Sequence, residues 1–147
     1  MYYCAYGSNM NLEQMEHRCP KSKVVCNGVL IGWKLVFNIH ANIIHTGDEK
    51  DSVPVVLWNI HDDDWKALDG YEGFPIYYDK KNVDITLNDG EIVEAIVYVM
   101  TDDYKDISLP YKHYFNVILT GYKENKINTD ALYEALEYTA YNQTKIN

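Results

Sequence analysis

Residues 77–87 and 92–100 are rich in β-branched and aromatic side chains, and they flank Asn88-Asp89-Gly90. Asn, Asp and Gly tolerate the positive φ that tight hairpin turns require, so the two runs read as antiparallel neighbours. Side chains alternate along a strand, which puts Tyr98 and Met100 on one face of the second run. The middle of the chain is thereby committed to β structure.

The preceding residues add strands. Residues 2–6 form a short one that stops at Gly7-Ser8-Asn9. Asn11-Leu12-Glu13-Gln14 then resembles a capping box, opening a brief helix that ends before Pro20. Val24-Val25-Cys26 and Val29-Leu30-Ile31 read as strand segments on either side of a turn-prone Asn27-Gly28. Residues 33–37 alternate Trp33, Leu35 and Phe37 against Lys34 and Val36, and the polar stretch 46–52 is a loop before a strand at 53–60.

His61-Asp62-Asp63-Asp64 supplies N-cap and first-turn carboxylates to a helix carrying Trp65, Leu68 and Tyr71. Gly70 and Gly73-Phe74-Pro75 break it, leaving Glu72 at or just past its end. Pro110 opens a longer helix with a buried stripe of Tyr111, Phe115, Ile118 and Tyr122. Residues 130–141 give a last helix with Leu132, Tyr133 and Leu136, and the tail from Asn142 is expected to fray. Strands in the middle and helices at the end make the class α+β. At 147 residues the chain encloses one core, so a single domain over 1–147 is expected.

Thirteen Lys and Arg against 22 Asp and Glu give a net charge of −9, which disfavours a nucleic-acid surface in the absence of a basic patch. Backbone N–H groups could still hold a small anion. Cys4, Cys19 and Cys26 form no CxxC pair, which suits a reduced, cytoplasmic setting. No charged n-region leads into an apolar stretch, and no run of eighteen apolar residues suggests a membrane span.

Most candidate chemistry has an ordinary reading. His17, His40, His45, His61 and His113 fit no HExxH spacing, so no metal site is expected. Ser8 is not in a GxSxG elbow, since Tyr6 and Met10 stand where glycines would. Cys4, inside an apolar strand, reads as an inert small hydrophobe. Two features leave alternatives open. Gly7-Ser8-Asn9 joins a strand end to a helix start, where successive N–H groups can form an anion-binding concavity, although such turns also arise for conformational reasons alone. Glu72 could be a solvated surface carboxylate. It also neighbours Leu68, Tyr71, Phe74, Ile76 and Tyr77, and turned inward it would have a raised pKa and could carry protons near neutrality.

Both features occur together in one family. The chain resembles the gamma-glutamylcyclotransferase family, which carries a YGSN-type turn after its first strand and an acidic residue in a D-x-x-E-G segment. The matching residues are Tyr6-Gly7-Ser8-Asn9-Met10 and Asp69-Gly70-Tyr71-Glu72-Gly73. Arg18-Cys19-Pro20, Ala41-Asn42-Ile43, Tyr98-Val99-Met100, Pro110 with Tyr114, and Gly121-Tyr122 extend the resemblance to about residue 136.

The resemblance implies a small mixed β-barrel flanked by helices, with a pocket at the barrel mouth. It implies an intramolecular aminolysis that needs no cofactor: the α-amine of a γ-glutamyl amino acid or γ-glutamyl amine attacks its own γ-carbonyl, giving 5-oxoproline and the freed amino acid or amine. Glu72 would be the general acid/base. Backbone N–H groups of Gly7, Ser8, Asn9 and Met10 would hold the γ-glutamyl moiety, and Tyr6, Tyr78, Tyr98, Met100 and Tyr114 would line the pocket. Gly7 is expected to matter because a β-branched residue would crowd the backbone and resist φ > 0. The alternative is a non-catalytic module that binds a small molecule on the same scaffold. Oligomeric state is left open between monomer and homodimer.

Overall fold

The computed structural model describes residues 1–104 and 106–146. In chain order the elements are β1 (Tyr2–Ala5), α1 (Leu12–Arg18), β2 (Lys23–Ile31), β3 (Trp33–Asn38), β4 (His40–His45), β5 (Ser52–Asn59), α2 (Trp65–Glu72), β6 (Tyr78–Leu87), β7 (Ile92–Met100), α3 (Lys112–Glu124) and α4 (Asp130–Ile146). Five strands close into a barrel in the order β1-β5-β2-β6-β7, and β3 and β4 form a separate two-stranded sheet. The barrel closes through a parallel contact of β1 with β7, Tyr3 opposite Ile96, while the other neighbours run antiparallel. The fold is thus α+β, a small mixed β-barrel flanked by helices.

The hairpin that Asn88-Asp89-Gly90 predicts is the β6–β7 pair, with Tyr78 opposite Met100 and Thr86 opposite Ile92. Val83 and Ile85 on β6 and Ala95 and Val97 on β7 are buried, as are Val53, Val55 and Leu57 on β5. Each of the valine, leucine and isoleucine side chains contributes about 1.5–3 kcal/mol of burial free energy. One contiguous apolar cluster takes residues from every strand and helix.

Four local expectations are corrected. Asn27-Gly28 is no turn: β2 runs through it in register with Val56 and Val55 of β5. A Cβ on Gly28 would lie 2.5 Å from Ile85 Cγ2, so the glycine permits β6 to approach closely. Gly70 does not break α2, which continues to Glu72 and ends at Gly73, whose φ of 66° suits the left-handed cap. Tyr111 caps α3 in an extended conformation and is 70% exposed, so the buried stripe is Phe115, Ile118 and Tyr122. The tail from Asn142 stays in α4 through Ile146.

β4 carries no marked turn ahead of it. Asn38 pairs with His40 around Ile39, which takes φ 59°, a conformation rarely adopted by a β-branched residue. The Ile39 N–H is held by the Ser108 carbonyl at 3.0 Å.

Register decides where a site can form. Because β1 is parallel to β7 and Tyr78 lies opposite Met100, the C-terminal ends of β1 and β7 and the start of β6 meet at one mouth of the barrel.

Candidate active site

β1 leads through Tyr6 to Gly7, and Ser8–Met10 form a single 3-10 turn. The Met10 N–H donates to the Gly7 carbonyl at 3.0 Å and the Asn11 N–H to that of Ser8 at 3.1 Å. Asn11 then caps α1, its Oδ1 accepting the Gln14 N–H at 3.0 Å. The back of the turn rests on α3. A Cβ on Gly121 would fall 2.8 Å from the Asn11 nitrogen, and Asn125 Nδ2 donates to the Met10 carbonyl at 2.8 Å. Fixed from behind, the turn leaves the N–H groups of Gly7, Ser8 and Asn9 without a hydrogen-bond acceptor among the described residues. Such oriented, unpaired donors suit an anion or a developing oxyanion.

Gly7 has φ −124°, which corrects the expectation of a positive φ. Its lack of a side chain serves space: a Cβ there would stand 3.1 Å from the Ala41 Cβ and 3.6 Å from the Tyr114 hydroxyl.

Glu72, the last residue of α2, reaches the same turn. Asn9 Nδ2 donates to its Oε1 at 3.2 Å and to the Tyr3 hydroxyl at 2.9 Å. Arg18 Nη1 donates in turn to Asn9 Oδ1 and to Ser8 Oγ, the latter at 3.2 Å, and its guanidinium stacks 3.3 Å from the Tyr71 ring centre. The Glu72 side chain keeps some access through the cavity and is enclosed by protein elsewhere. Loss of hydration pushes its pKa up from 4.5 to about 7, against the opposing pull of the Arg18 charge.

One turn earlier on α2, Asp69 accepts a hydrogen bond from the Tyr98 hydroxyl and pairs with Lys80 at 2.7 Å. The Lys80 ammonium also lies 4.6 Å from the Phe74 ring centre. This partly buried pair ties α2 to β6 and β7, and so holds Glu72 at the barrel mouth.

The donor turn and Glu72 face a cavity of about 520 Å³. Tyr6, Gly7, Ser8, Asn9, Glu72, Tyr78, Tyr98, Met100 and Tyr114 all line it. Met10 stands apart: its side chain is fully buried and its N–H is taken up inside the turn, so it offers the cavity no donor. The tyrosines are tied to backbone, with the Tyr6 hydroxyl donating to the Tyr98 carbonyl at 2.6 Å and the Tyr78 hydroxyl to that of Ala41 at 2.7 Å. The Tyr114 hydroxyl accepts the Ala41 N–H at 3.0 Å. Burial raises the pKa of each of these phenols, including Tyr98, so they remain neutral at pH 7. His40, also at the cavity, has its pKa lowered by burial. A carboxyl that titrates near neutrality thus shares a cavity with unpaired backbone donors, an arrangement able to move a proton beside a carbonyl whose oxygen the donors hold.

Tyr3, Tyr71, Arg18 and the Asn38–Ala41 turn join the site without a sequence motif that points to them. Three of these contributions are legible only in space, since the β3–β4 turn, Tyr3 and Tyr71 come from separate elements. Arg18 carried a signal, being the only arginine in the chain. Among the described residues no three His, Cys, Asp or Glu side chains gather to hold a metal, and no helix is long and apolar enough to cross a membrane.

Residues 3–116 match the family model for gamma-glutamyl cyclotransferase, AIG2-like. A solved gamma-glutamyl cyclotransferase is 27% identical, with a TM-score of 0.79 over 96% of this chain and 85% of that one. The human protein loc79017, solved as an uncharacterised protein, is 26% identical, with a TM-score of 0.77 over 95% and 84%. YkqA from Bacillus subtilis shares the fold at 21% identity, with a TM-score of 0.73 over 98% of this chain and 54% of that one. No curated protein sequence matches. With the family model spanning most of its length, the chain belongs to the gamma-glutamyl cyclotransferase, AIG2-like family.

Proposed function

We propose that this protein cyclises γ-glutamyl amino acids or γ-glutamyl amines to 5-oxoproline, releasing the attached amino acid or amine. The observation that carries the reading is the Asn9–Glu72 hydrogen bond, which brings a carboxyl titrating at about 7 to the turn whose N–H groups are unpaired.

The γ-glutamyl group binds with its γ-carbonyl oxygen toward the N–H groups of Gly7, Ser8 and Asn9. Its neutral α-amine attacks the γ-carbonyl carbon, a new C–N bond forms, and the carbonyl electron pair moves to oxygen, where the N–H donors stabilise it. The attacking nitrogen carries one proton more than the lactam retains. Glu72 takes that proton and delivers it to the departing nitrogen as the old C–N bond breaks, which regenerates the carboxylate. The nucleophile is tethered to its target, so the protein's task is to fold the chain of the substrate and manage one proton. The neutral tyrosine hydroxyls of the wall supply shape and polarity without competing for it.

Mass-spectrometric detection of 5-oxoproline after incubation with γ-glutamyl amino acids, γ-glutamyl amines and glutathione tests this reading. Release from one or more of them supports it, and ligand-induced thermal stabilisation without release supports the binding module instead.

A further inference from the structure

We propose that Arg18 is the positioning residue for Glu72, acting through Asn9: by donating to Asn9 Oδ1 it fixes the amide so that Nδ2 faces the Glu72 carboxyl. Asn9 has one acceptor end and one donor end, and which way it points decides what the carboxylate meets. Arg18 has no acceptor atoms, so an amide turned toward it must present oxygen. The opposite end then donates at once to Glu72 Oε1 at 3.2 Å and to the Tyr3 hydroxyl at 2.9 Å. Turned over, the amide would set its oxygen against a carboxylate and its NH₂ against a guanidinium.

The surroundings of the relay leave Arg18 few substitutes. Glu72 is faced by Tyr3 on β1, Tyr6 after it, Tyr78 on β6, Tyr98 on β7 and Tyr114 on α3, all neutral phenols. Tyr71 adjoins it on α2, and His40 shares the cavity from β4. Lys80 is occupied by Asp69. Arg18 is the cation whose field reaches Glu72, and that field favours the ionised carboxylate. The guanidinium is held in turn by the Tyr71 ring and by Ser8 Oγ, so one side chain links the donor turn, the base and the rim of the cavity.

Loss of Arg18 therefore removes a cation and frees the amide to turn, and both changes favour protonated Glu72. The kinetic consequence rests on the proposed cyclotransferase reaction, whereas the titration of Glu72 does not. The experiment is a carbon-13 NMR titration of the Glu72 carboxyl in the full chain, assigned with Glu72→Gln, for wild type, Arg18→Met and Arg18→Lys. The expected result is a midpoint raised by about one pH unit in Arg18→Met, with Arg18→Lys recovering most of the shift. The acid limb of kcat/KM should move with the midpoint. Arg18→Gln, too short to reach the amide, gives the same reading should Arg18→Met fail to fold. A folded Arg18 variant with an unchanged Glu72 midpoint overturns the proposal. A wild-type chain inactive on every γ-glutamyl compound would contradict the proposed function, and the titration would still decide the role of Arg18.

Discussion

Asn9 and Glu72 are 63 residues apart in sequence and joined by a 3.2 Å hydrogen bond between Nδ2 and Oε1. The contact unites a turn at the end of β1 with the last residue of α2, and it makes the two halves of the candidate site one unit. Its energetic context is unusual for a carboxylate. One amide donor does not replace the hydration that Glu72 loses, which is why the proton is held to about pH 7.

A base must be ionised to act. With the Glu72 midpoint near 7, kcat/KM should fall by about tenfold for each pH unit on the acid side of that value. A limb near the ordinary value of 4.5 in the pH–rate profile would show that the rate does not depend on this buried carboxyl.

The same shift has a stability consequence of definite sign. The folded state binds the Glu72 proton more tightly than the unfolded chain, so the contribution is fully present below about 4.5 and is lost as pH rises through about 7. Glu72→Gln keeps an oxygen for Asn9 to donate to and removes the charge. Urea denaturation at pH 8 should find the variant more stable than wild type by about 1–3 kcal/mol, with the gap narrowing toward pH 5. A variant less stable than wild type at pH 8 would contradict the burial account.

At Gly7 the constraint is space. A valine would press on Ala41 and intrude toward Tyr114, displacing the substrate from the N–H donors. Steady-state kinetics of Gly7→Val should show kcat/KM reduced by about 10–100-fold. Unchanged kinetics would remove the donor turn from the mechanism.

Gly28 tests the barrel itself. Gly28→Ala drives a methyl to within 2.5 Å of Ile85 Cγ2 unless β2 and β6 part, and should cost about 1–3 kcal/mol in chemical denaturation. The cost should be smaller in an Ile85→Ala background, and equal costs in the two backgrounds would mean that the close approach is not what glycine serves.

Local signals were legible where backbone chemistry alone decides the outcome. At Asn88-Asp89-Gly90 the local backbone makes the turn, with Gly90 at φ 86°, and the β6–β7 hairpin follows from it. Asn27-Gly28 carries the same chemistry and misleads, because there the glycine answers to the proximity of Ile85, a residue 57 positions later in the chain. The Asn38–His40 turn is silent in sequence, since an isoleucine at φ 59° is held by Ser108 from outside the hairpin. Of the site, Glu72 and the Gly7-Ser8-Asn9 turn were visible as two separate, ambiguous features, and the resemblance joined them. The Met10 N–H, expected to face substrate, is used inside the 3-10 turn, because the turn's own hydrogen bond takes it to the Gly7 carbonyl. Arg18 lay in plain view at the end of α1, but its partner Asn9 and its neighbour Tyr71 become neighbours only when α1, α2 and β1 converge.

The most direct test of the central claim compares wild type and Glu72→Gln for 5-oxoproline release from the best γ-glutamyl substrate at pH 8, with substrate affinity followed in parallel by calorimetry. The account predicts that the variant binds with affinity close to wild type and releases 5-oxoproline at least about 100-fold more slowly. Turnover by Glu72→Gln at a rate near wild type would contradict it.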